Sequence, residues 1–355
     1  MNTQPRLRRL DEALQRQRVD ALLVTHIPNV RYLTGFTGSA GVLLAGKRPV
    51  FWTDGRYGEQ ARREVKGARV VVAKGPAVLA ALEHAAKRGA KRVGFESEHV
   101  TVAQRKTLSP GRDMRLVETS GVVENLRCVK DAEEVARIRA AVNLASRCFK
   151  QLLRAMRPGV PENEVAARLE FAARKAGASA MSFETIVAGG ARSALPHGVA
   201  SRAPLPARGF VVLDYGVILD DYCSDMTRTV HMGRAPRESR ALYQAVLEAQ
   251  LAAISAVRPG VSAGEVDAAA RNTLHRNKLA KYFTHSTGHG VGLEIHEIPR
   301  IGAKQQTVLE PGMVITIEPG IYLPGRCGIR IEDMVLVTDT GCEVLTPVSK
   351  ELIEI

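Results

Sequence analysis

Two pairs of carboxylates set in apolar strands constrain this chain more than any other feature. Phe210-Val211-Val212-Leu213-Asp214-Tyr215-Gly216 reads as a buried strand ending in an acid, and Tyr222-Cys223-Ser224-Asp225-Met226-Thr227-Arg228-Thr229-Val230 reads as its return. Centring the turn between Leu219 and Asp220 sets Asp214 opposite Asp225, on one face and roughly 5 Å apart at Cβ. Asp220 and Asp221 at the tip read as turn residues. A second hairpin repeats the arrangement. Val314-Ile315-Thr316-Ile317-Glu318 goes out, Gly328-Ile329-Arg330-Ile331-Glu332-Asp333-Met334-Val335 returns, and a turn centred on Gly325 sets Glu318 opposite Glu332. Like charges across a ladder repel, and buried carboxylates need a counter-charge. A shared proton could neutralise one pair; two pairs favour divalent metal.

A nitrogen ligand is supplied by Thr287-Gly288-His289-Gly290-Val291-Gly292, whose glycines let backbone approach a crowded site and whose imidazole suits transition metals. The spacing is not that of a phosphate loop, because it is not G-x-G-x-x-G and no Lys-Ser/Thr follows. Nor does His296-Glu297-Ile298-Pro299-Arg300 complete H-E-x-x-H, since Arg300 holds the last place.

The length of 355 residues allows two domains. The apolar content of 45% and charged content of 25% are those of a globular protein. No stretch approaches the roughly 18 uninterrupted apolar residues of a spanning helix, and the first residues lack a signal peptide's apolar core. A cytoplasmic protein without membrane attachment is expected. The five cysteines are odd in number and include no Cys-x-x-Cys, which argues against a disulfide framework or a thiolate zinc site. A net charge of +13 raises nucleic acid as a partner. The bases are dispersed, however, with no aromatic-interleaved basic block, so a solvated basic surface is expected instead.

Two domains are expected, over residues 1–124 and 125–355. The first alternates helix and strand: a helix from Arg6 to Arg18, strands at Ala21–Val24, Gly41–Leu44, Pro49–Trp52 and Val70–Ala73, a helix from Ala77 to Lys87, and a strand at Arg92–Phe95. That order implies an α/β domain. The second opens on Asp131, which caps a helix with Glu134 three places on and runs to Met156. Arg157-Pro158-Gly159-Val160 with Glu164-Val165 then recurs as Arg258-Pro259-Gly260-Val261 with Glu265-Val266. Helices flank both copies, so a duplicated α/β half is expected, with a site between the halves.

The ordered set Asp214, Asp225, His289, Glu318 and Glu332 resembles that of the pita-bread metallopeptidases. The surrounding words agree: LDYG, SDMTRT, STGHGVGLEIHE, TIEPGIY and RIED, with FETIVAGGARSALPHG at 183–198. The likeness covers most of 125–350. NVRYLTGFTGSAG and FWTDGRY in the first region look like the smaller N-terminal domain that the proline-specific branch and creatinase carry.

The resemblance implies an α/β (α+β) pita-bread catalytic domain with duplicated halves behind a creatinase-like N-terminal domain. Asp214 would chelate the first of two divalent metals, Asp225 and Glu332 would bridge, and His289 and Glu318 would complete the second. Oxygen-rich ligation suits manganese, with cobalt or zinc as alternatives. The expected reaction is cleavage of the Xaa-Pro bond by a hydroxide generated between metals roughly 3.5 Å apart. Glu318 would relay the proton and His296 would stabilise the oxyanion. His197 would orient the substrate. Arg330, Tyr322 and Arg300 match substrate contacts, and Phe183 could wall the proline ring. An Xaa-Pro aminopeptidase acting on longer proline-containing peptides is expected, with an Xaa-Pro dipeptidase (prolidase) as the alternative and a non-catalytic binding module as a remote one. Relatives often form homodimers, and a homodimer is expected here.

Overall fold

The alternation of apolar residues along the strands decides which face each carboxylate takes. In the computed structural model, which describes residues 2–109 and 113–355, the chain divides into two compact units, Met1–Arg127 and Cys128–Ile355.

The first unit is a six-stranded mixed sheet, β1 Ala21–Val24, β2 Val42–Gly46, β3 Val50–Thr53, β4 Arg69–Val72, β5 Arg92–Glu96 and β6 Arg115–Thr119, in the order β4-β3-β2-β1-β5-β6. Helices α1 Gln4–Arg16, α2 Ile27–Thr34, α3 Gly58–Glu64, α4 Ala77–Lys87, α5 Val102–Thr107 and α6 Val122–Cys128 accompany it. β1 pairs antiparallel with β2 but parallel with β5. Leu23, Trp52, Leu82, Val93 and Phe95 form part of its core.

The second unit opens with helices α7 Ala132–Leu152 and α8 Glu162–Lys175. Asp131 and Glu134 form the expected capping box, each side chain accepting from the other's backbone amide. Strands β7 Ala180–Met181, β8 Ile186–Gly189, β9 Gly209–Tyr215, β10 Val217–Leu219, β11 Tyr222–Cys223 and β12 Met226–Met232 complete the first half. The second half has helices α9 Arg237–Ala256 and α10 Ala263–Arg276. Its strands are β13 Gly288–Gly290, β14 Glu297–Ile301, β15 Val314–Ile317, β16 Gly320–Leu323, β17 Cys327–Arg330, β18 Asp333–Val337 and β19 Cys342–Val344.

The sequence echo is also an echo of backbone. Gly159 and Gly260 both take a left-handed φ, +85° and +84°, which glycine adopts without steric cost. Gly159 N donates to Leu205 O at 2.9 Å and Gly260 N to Leu309 O at 3.0 Å; Leu205 N returns to Val160 O and Leu309 N to Val261 O, both at 2.8 Å. The halves are two versions of one motif.

Period two then sorts the side chains. In β9, Val211, Leu213 and Tyr215 pack with Leu144, Phe149 and Leu169 of α7 and α8. Asp214 therefore faces the other way. In β15, Ile315 and Ile317 pack with Val246, Val266 and Ala270 of α9 and α10, and Ile331 joins the same core. Glu318 and Glu332 are thereby left on the opposite, inner face. Each half covers its outer face with helices and turns its acids inward.

Candidate metal centre

The first hairpin corrects the expected register. Leu219 pairs with Tyr222, so the turn is centred between Asp220 and Asp221, and Asp214 faces Thr227. Asp220 and Asp221 have φ of +46° and +74°, the two left-handed residues of a tight hairpin turn. Asp225 consequently lies diagonal to Asp214, not opposite it. A slip of two residues preserves the face, so both acids still point to the same side. The second hairpin keeps the expected register: Ile317 pairs with Asp333 and Gly320 with Arg330 on either side of Glu318 and Glu332.

Backbone bonds from the two glutamates tie the second hairpin to the first and to the segment that carries His289. Glu332 N donates to Thr227 O at 3.1 Å, and Glu318 N to Thr287 O at 2.7 Å. Ligand atoms of Asp225, His289 and Glu332 fall within 4.8 Å of one another. His289 Nε2 stands 3.5 Å from Glu318 Oε1 and 3.6 Å from Asp225 Oδ2. Its Nδ1 donates to Gly290 O at 3.0 Å, which fixes the tautomer and turns the Nε2 lone pair toward the carboxylates. Burial, more than the neighbouring His296, pushes the His289 imidazole down to about 4, so it stays neutral as a ligand must.

Close backbone packing makes room for this convergence. A Cβ on Gly288 would lie 1.9 Å from Thr316 O, and one on Gly216 would lie 1.8 Å from Ser224 O. Gly288 adjoins His289 and Gly216 lies two residues beyond Asp214, and no larger residue fits at either place.

The electrostatics demand cations. Burial, then the charge of Glu332, drives the Asp225 carboxyl well above its usual range, and Glu318 shifts the same way for the same two reasons. Burial, then Asp214, pushes Glu332 up to about 8. Arg330 is the cation at hand: Nη2 donates to Asp214 Oδ2 at 2.6 Å. Asp214 Oδ1 is buried without a hydrogen-bond partner among the described residues. An orphaned carboxylate oxygen, a neutral imidazole and three more acids form a donor set that fits two divalent ions.

The other expected residues surround this centre. Arg330 is buried and donates from Nε to Thr227 Oγ1 at 3.1 Å and from Nη1 to Pro196 O at 3.2 Å and Tyr322 Oη at 2.6 Å. It thus links Asp214 to the loop carrying His197. His197 and His296 are exposed, and the His296 ring stands edge-on to His289 with centroids 4.5 Å apart. Partial burial of this otherwise exposed side chain, then His197, lowers the His296 imidazole below its ordinary value. Arg300 is exposed and directly opposite His289 in the β13–β14 ladder. Phe183 is half-buried beside Ser182, whose amide bonds Gly216 O.

Sequence reasoning missed His285. Its Nδ1 donates to Ser286 O and its Nε2 accepts from Tyr322 Oη, both at 2.8 Å, which extends the chain Asp214–Arg330–Tyr322 by one group. Burial, then Arg330, pushes it down to about 4. No spacing rule points to it. Thr227 was missed as well; its hydroxyl donates to Glu332 Oε2 at 2.8 Å while accepting from Arg330.

Comparison with known proteins agrees with this geometry. Residues 136–339 match the model of metallopeptidase family M24, and residues 6–129 match the creatinase/prolidase N-terminal domain. The Xaa-Pro dipeptidase of Pyrococcus horikoshii is 36% identical over 352 residues, 98% of each chain. The structure of an Xaa-Pro dipeptidase from Bacillus anthracis superposes with a TM-score of 0.97 at 42% identity over 100% of both chains. An X-Pro aminopeptidase from Thermotoga maritima superposes with a TM-score of 0.90 at 34% identity, covering 97% of this chain and 100% of that one. Behind a creatinase-like N-terminal domain, this chain carries a pita-bread peptidase domain and belongs to metallopeptidase family M24.

Proposed function

We propose that the chain is a dinuclear Xaa-Pro dipeptidase, a prolidase, whose substrate is a dipeptide ending in proline. The observation that carries the peptidase reading is the convergence of Asp225, His289 and Glu332 ligand atoms within 4.8 Å, with Glu318 3.5 Å from the same imidazole. In this reading Asp214, Asp225, His289, Glu318 and Glu332 would hold the two metals, and manganese would suit the oxygen-rich set. When bound, the metal pair supplies Lewis acidity and an activated water. Glu318 accepts a proton at its carboxylate and returns it to the leaving imino nitrogen. Neutral His296, beside His289, donates an N–H toward the developing oxyanion. His197 orients the substrate, and Phe183 lies against the proline ring.

Preference for a dipeptide over a longer peptide is supported by the two near-full-length relatives named Xaa-Pro dipeptidase, at 42% and 36% identity. It reverses the order of the two activities expected from sequence. A dipeptide also presents a free carboxylate after proline. Four of the five N–H groups of Arg330 are already taken by protein acceptors, so exposed Arg300 is the cation assigned to it. The aminopeptidase remains the second reading because the Thermotoga maritima relative bears that name at 34% identity.

The test is hydrolysis of Ala-Pro and Phe-Pro-Ala by chelated protein after manganese, cobalt or zinc is returned. Cleavage of Ala-Pro alone, lost on chelation and restored best by manganese, is expected. Faster release of Phe from the tripeptide establishes the aminopeptidase reading instead, and turnover of neither peptide overturns both.

A further inference from the structure

A buried charge pair beside this centre has no part in the chemistry just assigned. Lys130, with a side chain 1% exposed, donates from Nζ to Glu297 Oε2 at 3.1 Å and to Cys128 O at 3.2 Å. Its backbone is fixed beneath it: Lys130 N donates to Gly312 O at 2.9 Å, and Val129 bridges Met313. Glu297, with a side chain 5% exposed, begins β14 and accepts from Glu294 N on Oε1 at 3.1 Å. Gly292 N donates to Glu294 O at 3.0 Å. A Cβ on Gly292 would stand 2.6 Å from one Glu297 oxygen and 2.7 Å from the other, so the carboxylate fills the space that a side chain would take. The turn 292–297 is folded around this one carboxylate, and a buried ammonium holds the carboxylate in place.

His296 belongs to that turn. It is exposed and reaches His289 with ring centroids 4.5 Å apart. A buried ion pair is weak support for stability, because desolvation offsets much of the attraction and apolar replacements often do as well. What such a pair does supply is direction. Lys130 fixes one point from the segment just before β15, and Glu297, the residue next to His296, receives it.

We infer that Lys130 is a positioning residue: through Glu297 it sets the turn that presents His296 beside His289. The inference rests on the reading of His296 as a substrate contact, so it is tested by two independent measurements. The first is a double-mutant cycle on metal-loaded protein with Ala-Pro, combining Lys130→Met with His296→Ala. Lys130→Met alone is expected to lower kcat by roughly 10- to 100-fold, in the range of a shell that orients an active-site group. KM changes little and two metals per chain are retained. In the His296→Ala background the same substitution costs less than about 3-fold. Equal losses in both backgrounds overturn the inference, because Lys130 then acts by a route that avoids His296. The second measurement is amide hydrogen exchange of the unliganded protein, which needs no activity. Exchange within 292–297 should rise at least 10-fold in Lys130→Met while β9 and β12 keep their protection; unchanged exchange in the turn overturns the inference on its own. Should Lys130→Met fail to fold, Glu297→Gln takes its place in both experiments, since it keeps the shape and the acceptor for Glu294 N but removes the charge. A wild-type chain that cleaves no Xaa-Pro peptide counts against the reading of the site, and the exchange result still decides the positioning claim.

Discussion

The guanidinium of Arg330 grips Oδ2 of Asp214 at 2.6 Å and leaves Oδ1 of the same carboxylate buried and, among the described residues, unbonded. On the proposed assignment, Arg330 would orient Asp214 as a metal ligand rather than hold substrate. Removing one partner of a buried pair strands the other charge, at a cost of about 3–5 kcal/mol. Arg330→Met is expected to lower the urea midpoint accordingly and to weaken metal binding by roughly 10- to 100-fold. Arg330→Lys is not expected to restore affinity, since an ammonium cannot bond Thr227, Pro196, Tyr322 and Asp214 together. Titration of metal into chelated protein checks both; wild-type affinity in Arg330→Met would return Arg330 to the role of substrate contact.

The acids of the site give chelated protein a distinctive pH dependence. Glu332 titrates near 8 in the fold against an ordinary 4.5, and Asp225 and Glu318 are raised too. Groups with raised folded values bind more protons folded than unfolded. Their stabilisation is full below the ordinary value and is lost as pH climbs through the folded one. His289 and His285, lowered from 6.5 to about 4, work in the opposite sense between those two values. Between pH 6.5 and 8 the carboxylates are unopposed. Urea midpoints of chelated protein should fall across that interval, and saturation with manganese should flatten the fall. A chelated midpoint that rises with pH there contradicts the burial of these acids.

Arg300 lies directly across the ladder from His289, and in the proposed reading its guanidinium would take the carboxylate at the dipeptide's end. A charge-assisted hydrogen bond contributes about 1.5–3 kcal/mol, so Arg300→Ala should raise KM for Ala-Pro roughly 10- to 100-fold with kcat nearly unchanged. Ala-Pro-amide, which lacks the carboxylate, should be a poor substrate of the wild type and indifferent to the substitution. Steady-state kinetics on the pair decides. An equal rise in KM for both substrates assigns Arg300 a role unrelated to the carboxylate.

The second hairpin was legible to the residue because Gly325, at φ +72°, marks its own turn. The first was misplaced by two residues because Asp220-Asp221 lacks the glycine that usually announces a two-residue turn. The face survived that error, since strand periodicity is two. The duplicated half was visible in Arg-Pro-Gly-Val because a left-handed glycine after proline needs those residue types. His285 stayed hidden for the opposite reason. Its place is set by a hydrogen bond to Tyr322, a residue distant in sequence that no local pattern encodes. Nor could sequence reveal that protein acceptors take four of the five N–H groups of Arg330, which required four partners from separate segments.

Two glycines separate steric from conformational cost. At Gly288 a methyl group would meet Thr316 O at 1.9 Å, backbone that cannot rotate aside. Relief requires β13 to move away from β15, which carries His289 off the carboxylates. Gly288→Ala should therefore cost about 3 kcal/mol or more, the upper end of overpacking, and halve the metal bound at saturation. Gly325 has open space around its Cα and only the left-handed φ to oppose a side chain. Gly325→Ala should cost about 1 kcal/mol and leave metal content and turnover intact. Urea unfolding with metal analysis of the two variants distinguishes them. If Gly288→Ala keeps both metals, His289 does not depend on the close approach of these strands, and the packing account of the centre fails.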